Sequence, residues 1–152
     1  LLQSKANEVK EKLKAKVNVV TPKQIETLEN LYEALDNVAV YIERLTAVFK
    51  PGSSNDILSM MKDDSKKLAD TLIKFTEIYR KGRIYISKEL CLKLENYLMG
   101  GKFNYYLVTP ALGSPWANTL IQQRAEQWSK NGESMKKLED ELTSEIRNQI
   151  LV

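Results

Sequence analysis

The chain has 152 residues, 43% of them hydrophobic and 28% charged, with a net charge of +3. This length and balance indicate one folded domain and exclude an intrinsically disordered chain, and the small net charge does not call for a polyanionic partner. There is no histidine and a single cysteine, Cys91. Histidine triads, histidine zinc sites, Glu-x-x-His di-iron centres and internal disulfides are therefore excluded, so any catalysis would use carboxylates, lysine, tyrosine or that thiol.

Residues 1–20 have the pattern of an amphipathic helix with a lysine-rich outer face. Its apolar positions are Leu2, Ala6, Val9, Leu13, Val17 and Val20, and its lysines are Lys5, Lys10, Lys12, Lys14 and Lys16. Thr21, Pro22 and Gln24 then match an N-cap, a first-turn proline and a capping box. Either a second helix begins there or one long helix kinks at Pro22, and the sequence leaves both readings open.

The stretch from Ile25 to Phe49 predicts the central core helix. Apolar residues recur every three or four positions except at Thr46, and the stripe is wide enough for more than one neighbour. Pro51–Asp56 is a clear turn, so the next helix, Leu58–Tyr79, should return antiparallel with Ser65 as the one polar member of its stripe. We therefore expect a helical hairpin from about Pro22 to Lys81.

After the hairpin, the sequence predicts shorter elements. Gly82 should end the helix in a left-handed conformation, and Ile84–Ile86 should form an extended connector. Ser87 should cap a helix that buries Leu90, Leu94, Tyr97 and Leu98 and ends at Gly100–Gly101.

Residues 102–114 show no strong period, and Thr109–Pro110 with Gly113 predicts an irregular segment. A last helix should restart at Ser114-Pro115-Trp116 and carry Trp128. Asn131–Gly132 either breaks that helix or weakens it by about 1 kcal/mol. We predict an all-α fold in one domain spanning 1–152, with an extended N-terminal helix at 1–20 and, at 22–152, a bundle built on the antiparallel hairpin.

A basic cluster at the end of the hairpin is the first candidate site. It consists of Arg80, Lys81, Arg83, Lys88 and Lys93, interleaved with Tyr79 and Tyr85. Such a cluster can clamp phosphates beside an aromatic platform. The alternative reading is a helix carboxyl end with cations that suit its dipole, followed by a solvated face, and we favour this second reading.

Acidic runs and the thiol are the other candidates. Glu26, Glu29, Glu33 and Asp36 form one acidic helix edge, and Asp63–Asp64 and Glu139–Glu141 are neighbouring carboxylates. An edge does not surround a cation, and successive helical residues diverge by about 100°, so we expect solvated or ion-paired side chains there. Cys91 has no histidine to activate it and is expected to pack, as are the two tryptophans.

Three stretches carry a resemblance to known proteins: Lys12–Lys16, Lys23–Tyr32 and Arg83–Cys91. Together they resemble a broad group of uncharacterised bacterial helical proteins, many of which carry one transmembrane helix before a coiled segment. The resemblance implies an anchored, cytoplasm-facing protein and indicates no particular activity. The chain itself has no apolar run of about 18 residues, and because it begins at Leu1 rather than methionine we expect a preceding segment.

The sequence thus predicts a non-enzymatic helical interaction or scaffold module, the cytoplasmic part of a membrane-anchored bacterial protein. We predict no catalytic, cofactor-binding or metal-binding residues and no cofactor. The predicted interaction surface comprises Lys5, Lys12, Lys16, Arg80, Lys81 and Arg83. We expect a homo-oligomer formed through the N-terminal helix, with an anionic membrane surface as a second partner. The alternative is a nucleic-acid-binding protein that uses residues 80–93.

Overall fold

A computed structural model describes residues 4–7, 21–48 and 55–151 of the chain. Four long helices make up most of this part: α1 (Pro22–Val48), α2 (Asn55–Gly82), α3 (Lys88–Leu112) and α4 (Ala117–Leu151). A single 3-10 turn, Arg83–Tyr85, joins α2 to α3. The described residues include no strand, so the predicted all-α class is confirmed.

The helices form an up-down-up-down four-helix bundle. Helix α1 packs against α2 and α4, and α3 packs against the same two helices, so the four close into a ring. Neighbouring helices are antiparallel. In the α1–α2 pair, Thr27 near the start of α1 lies against Gly82 at the end of α2, and Arg44 near the end of α1 bonds to Asp64 in the first half of α2. Short connections force this antiparallel order, because a two- to eight-residue loop cannot carry the chain back along a helix.

Helix α1 begins as its sequence predicts. The Thr21 amide donates to Gln24 Oε1 at 2.8 Å and the Gln24 amide donates to Thr21 Oγ1 at 3.2 Å, which completes a capping box. Its core face is centred on the positions flanking the predicted stripe, where Leu31, Val38 and Leu45 are fully buried. This wide face serves two neighbours, α2 and α4. Phe49 and the turn at 51–54 lie outside the described residues, as do residues 8–20 of the predicted N-terminal helix.

The end of α2 differs from the prediction for Gly82. This residue is the last of α2 and has φ −95°, which is right-handed, so no left-handed cap forms. Glycine fits here because it has no side chain: a Cβ atom at this position would collide with Thr27 Cγ2 on α1. The connector is also different, because Arg83–Tyr85 is helical and only Ile86 is extended. Ser87 caps α3 as predicted, with its hydroxyl accepting from the Leu90 amide at 3.1 Å.

Helix α3 continues through two sequences that predicted its end. Gly100–Gly101 lies mid-helix and Pro110 lies inside the last turn, so the predicted stop and the predicted irregular segment at 102–114 are wrong. Tertiary contacts override the local preferences. Gly101 faces Leu72 of α2 closely, and the Thr109 hydroxyl bonds to Ser65 of α2. Pro110 cannot donate to the carbonyl of Tyr106, but only two helical residues follow it, so a bend at the proline displaces little of the helix.

Helix α4 begins later than predicted and does not break. It starts at Ala117, after a turn in which Ser114 Oγ accepts from the Trp116 amide at 3.1 Å. It then runs for 35 residues through Asn131–Gly132. The Asn131 side chain explains the continuity, because its amide donates to the Gly100 carbonyl at 3.1 Å and to Asn104 Oδ1 at 2.6 Å. These bonds fix the α3–α4 alignment at a level where the core is otherwise apolar.

Candidate interaction surface

The outer face of α3 carries an apolar stripe that no other described helix covers. Its large members are Leu92 (60% exposed), Met99 (68%), Phe103 (50%) and Tyr106 (68%). The exposed residues Asn96 and Pro110 complete the row. The spacing alternates between four and three residues over about 27 Å, so all six lie on one side of the helix.

The opposite face of α3 is buried and is apolar except at Asn104. Leu90, Leu94 and Val108 have no exposed surface, and Gly101 lies against Leu72. Helix α3 is therefore apolar on two sides, whereas a helix on the surface of a monomer normally has a polar outer face. Four of the nine large exposed hydrophobic residues of the described chain lie on this one stripe. Single exposed apolar residues are ordinary, but an aligned row of them marks a contact surface.

Charged side chains border one flank of the stripe. Glu95 and Lys102 are exposed and seven residues apart, so they lie on the same side of the row. Glu95 is held in place, because its Oε1 accepts from the Tyr79 hydroxyl at 2.7 Å. On the other flank Lys93 turns inward and bonds to Glu145 of α4 at 2.9 Å. That contact raises the pKa of Lys93.

Burying the stripe against a partner would contribute several kcal/mol of binding free energy. Burying a Leu, Met or Phe side chain completely contributes about 1.5–3 kcal/mol. Since half to two thirds of each of the four large side chains is exposed, covering them would contribute on the order of 5 kcal/mol per chain. Part of that gain is offset by the entropy lost on association. A reversible complex, rather than a permanent one, is the expected result.

No protein-family model, curated protein or solved structure matches this chain. Its function is therefore inferred from its own residues.

The predicted basic cluster is only partly assembled. Arg80, Lys81 and Arg83 are exposed at the end of α2 and in the 3-10 turn. Lys93, by contrast, belongs to the α3–α4 contact described above. Tyr79 is buried, and burial together with its bond to Glu95 raises the pKa of its hydroxyl. It is therefore a core residue rather than an aromatic platform.

The structure describes only part of the remaining candidate residues. Tyr85 is half-buried, and the Lys23 ammonium lies 5.8 Å from its ring centre. Lys5 is exposed within the short described helical stretch 4–7. Lys12 and Lys16 lie outside the described residues, so the predicted lysine face of the N-terminal helix stays a prediction.

The acidic candidates do not converge on a cation. Among the described residues no group of three or more histidine, cysteine, aspartate or glutamate side chains is arranged to hold a metal ion. Asp63 and Asp64 point apart: Asp63 pairs with Lys67 on the surface, while Asp64 is buried and bonds to Arg44 of α1 at 3.2 Å. The Cys91 thiol is half-buried and contacts the Arg83 carbonyl at 3.7 Å.

Glu139 gives a pH-dependent prediction. Burial raises the pKa of its carboxyl, Lys136 lowers it, and nearby Asp140, Glu43 and Asp36 raise it further. A carboxyl whose pKa is higher in the folded state stabilises the fold most at low pH, and that contribution is lost as the pH rises through the raised pKa. Glu139→Gln should therefore increase the free energy of unfolding at pH 7 by less than about 1 kcal/mol, and the increase should vanish near about pH 3.5.

Urea unfolding followed by circular dichroism at the two pH values measures the Glu139 effect. Glu133→Gln, on the exposed face of the same helix, is the matched control and should show a smaller difference between the two pH values. If Glu139→Gln increased the free energy of unfolding equally at both pH values, ionisation of the Glu139 carboxyl would not be what destabilises the folded protein.

Sequence reasoning missed the stripe as a functional feature. The signal was present, since Leu92, Met99, Phe103 and Tyr106 follow each other at seven, four and three residues. It was hidden because the predicted helix ended at Gly100–Gly101, which divides the row between two segments.

None of the helices within the described residues has the length and hydropathy that a membrane span requires.

Proposed function

We propose that this protein is a non-enzymatic helical interaction module and that the outer stripe of α3 is its contact surface. The observation that supports the proposal is the row Leu92, Met99, Phe103 and Tyr106, half or more exposed on a helix whose other face is buried. A bundle can present such a row without rearranging, because the backbone that holds it is fixed from behind by α2 and α4. A preorganised surface loses little entropy on binding.

The contacts behind the stripe support its role as a rigid platform. Asn131 joins α4 to the α3 backbone at Gly100, directly beside Met99. Arg124 of α4 donates to the Leu107 carbonyl at 2.9 Å, beside Tyr106. The Tyr106 ring itself lies edge-on to Tyr105, with ring centres 5.4 Å apart. The two hydrogen bonds fix the α3 backbone next to Met99 and Tyr106, and the ring contact adds a side-chain neighbour for Tyr106.

Site-specific photo-crosslinking in bacterial cells tests the proposed surface. Leu92 and Ile73 are equally exposed, at 60%, but Ile73 lies on α2 rather than on α3. A benzophenone amino acid at Leu92 should give a discrete crosslinked species, and the same amino acid at Ile73 should not. The mass of the species distinguishes a second copy from another protein.

Two results would remove the proposed surface. The first is the absence of any discrete species from Leu92 and from Phe103, both within the stripe. The second is an equal yield from Ile73, since that would show general surface reactivity rather than a contact specific to α3.

We further propose that the module works at the cytoplasmic face of a bacterial membrane. The support is the lysine-rich segment 1–20, because cytoplasmic segments beside a membrane are enriched in lysine and anionic lipids attract them at about 1 kcal/mol per lysine. Fractionation of cells that express the intact gene checks this location. Recovery entirely in the soluble fraction would contradict it.

A further inference from the structure

We propose that the partner of the α3 stripe is a second copy of the chain, docked antiparallel across a two-fold axis near Met99. This inference rests on the proposed interaction surface and specifies its occupant. Two features of α3 support it: the spacing of the stripe and the order of the charges beside it.

The spacing of the stripe fits a straight helix as partner. Leu92, Met99 and Tyr106 recur every seven residues, and Asn96, Phe103 and Pro110 lie four residues after each of them. Such alternating steps of four and three keep a seam in contact with another helix along its length. With the axis near Met99, Leu92 of one copy lies opposite Tyr106 of the other and the two Met99 side chains face each other, while Phe103 lies opposite Asn96.

The flanking charges select the antiparallel direction. In an antiparallel pair of identical helices the same flank of each meets across the axis, and every contact occurs twice. Glu95 and Lys102 lie on the same flank and are nearly equidistant from Met99, so Glu95 of each copy meets Lys102 of the other. In a parallel pair the same two residues would face Gly100 and Leu107, which carry no charge.

The size of the surface indicates a reversible dimer. Stable specific interfaces bury about 800 Å² on each partner, and one stripe of a single helix exposes less than that. Asn96 in the middle of the seam also reduces the apolar contact. We therefore expect a dissociation constant on the order of 10–100 µM.

Sedimentation of the full 152-residue chain from about 5 to 500 µM measures the dimer. Leu92→Glu should raise the dissociation constant at least tenfold, because it places a carboxylate in the apolar seam. Ile73→Glu, the matched control at the same 60% exposure, should leave it within about twofold. Circular dichroism confirms that both variants remain folded.

A charge exchange tests the register. Glu95→Lys alone and Lys102→Glu alone should each raise the dissociation constant about fivefold, since two like-charged pairs replace two opposite ones. The combined variant should return to within about twofold of the wild type. Because the combined variant also lacks the bond from Tyr79 to Glu95, its recovery cannot be attributed to that contact.

Several results would overturn the assignment. A strict monomer at about 500 µM excludes a second copy, and a crosslink from Leu92 to a different protein would then leave the proposed surface intact. A dimer unaffected by Leu92→Glu but lost when residues 1–20 are removed places association in the N-terminal segment. A charge exchange without recovery excludes the antiparallel register. Binding to phosphatidylcholine vesicles that Leu92→Glu abolishes, without self-association, identifies a lipid surface instead.

Discussion

Replacing Trp128 with alanine should lower the free energy of unfolding by about 4 kcal/mol, the largest effect that we expect from one side chain in this bundle. Trp128 is 1% exposed, and its Nε1 donates to Thr46 Oγ1 at 2.9 Å. The Thr46 hydroxyl donates in turn to the Ile42 carbonyl at 2.7 Å. Alanine would therefore remove a large apolar volume and also leave the threonine oxygen without its tryptophan donor.

Trp116 provides the matched control, because the chain has only these two tryptophans. Trp116 is 72% exposed in the turn before α4, so its replacement by alanine should change the free energy of unfolding by less than about 0.5 kcal/mol. Trp128→Phe separates the two contributions at the buried site. It keeps most of the ring volume and should cost only about 1–2 kcal/mol, mainly from the lost hydrogen bond.

Urea unfolding followed by far-ultraviolet circular dichroism measures these differences without using tryptophan fluorescence, which the substitutions change. For a chain of this size, about 4 kcal/mol corresponds to a decrease in Tm of roughly 8–16 °C. Equal losses of stability from the alanine substitutions at Trp116 and Trp128 would show that the two positions do not differ in burial. That result would contradict the described packing of α1 against α4.

Gly101→Ala should destabilise the protein by about 2 kcal/mol, although alanine is the better helix former. A Cβ atom at Gly101 would lie 2.6 Å from Leu72 Cδ2. Leu72 is itself buried, so its methyl group can give way only by displacing its neighbours in the α2–α3 contact. The overpacking therefore exceeds the gain of about 1 kcal/mol that alanine brings to a helix interior.

Gly132 is the control for this prediction, because it also lies inside a long helix. A Cβ atom there has no heavy atom within 4 Å among its described neighbours. Gly132→Ala should consequently stabilise the protein by about 0.5–1 kcal/mol. Thermal and urea unfolding measure both variants. If both substitutions changed the stability in the same direction, close packing against Leu72 would not be the reason for a glycine at position 101.

Neither pair of substitutions touches the outer stripe of α3, and this separation is useful for the functional proposals. A variant at Trp128 that remains folded should keep the wild-type dimer affinity. Leu92→Glu should do the reverse, because Leu92 lies on the solvent side of α3 and contributes to association rather than to the bundle core. Stability and association can thus be measured as independent properties of one bundle.

The local sequence was sufficient for the elements whose signals lie within a few residues. The capping box at Thr21, the cap at Ser87 and the core stripe of α2 with Ser65 as its polar member all follow from short-range hydrogen bonding and helical period, and all are present. The interruption of the α1 stripe at Thr46 was also visible in the sequence. Only the structure shows its reason, which is the hydrogen bond from Trp128 on a helix 82 residues away.

Tertiary packing decided the second half of the chain. Gly100–Gly101, Pro110 and Asn131–Gly132 each have a local preference of about 1–3 kcal/mol against a continuous helix. Contacts with α2 and α4 outweigh those preferences, and their free energy depends on residues distant in sequence. Because α3 is continuous, Leu92, Met99, Phe103 and Tyr106 fall on one face. The residues of the candidate surface were thus present in the sequence, while their alignment depends on the bundle contacts that keep α3 helical from Lys88 to Leu112.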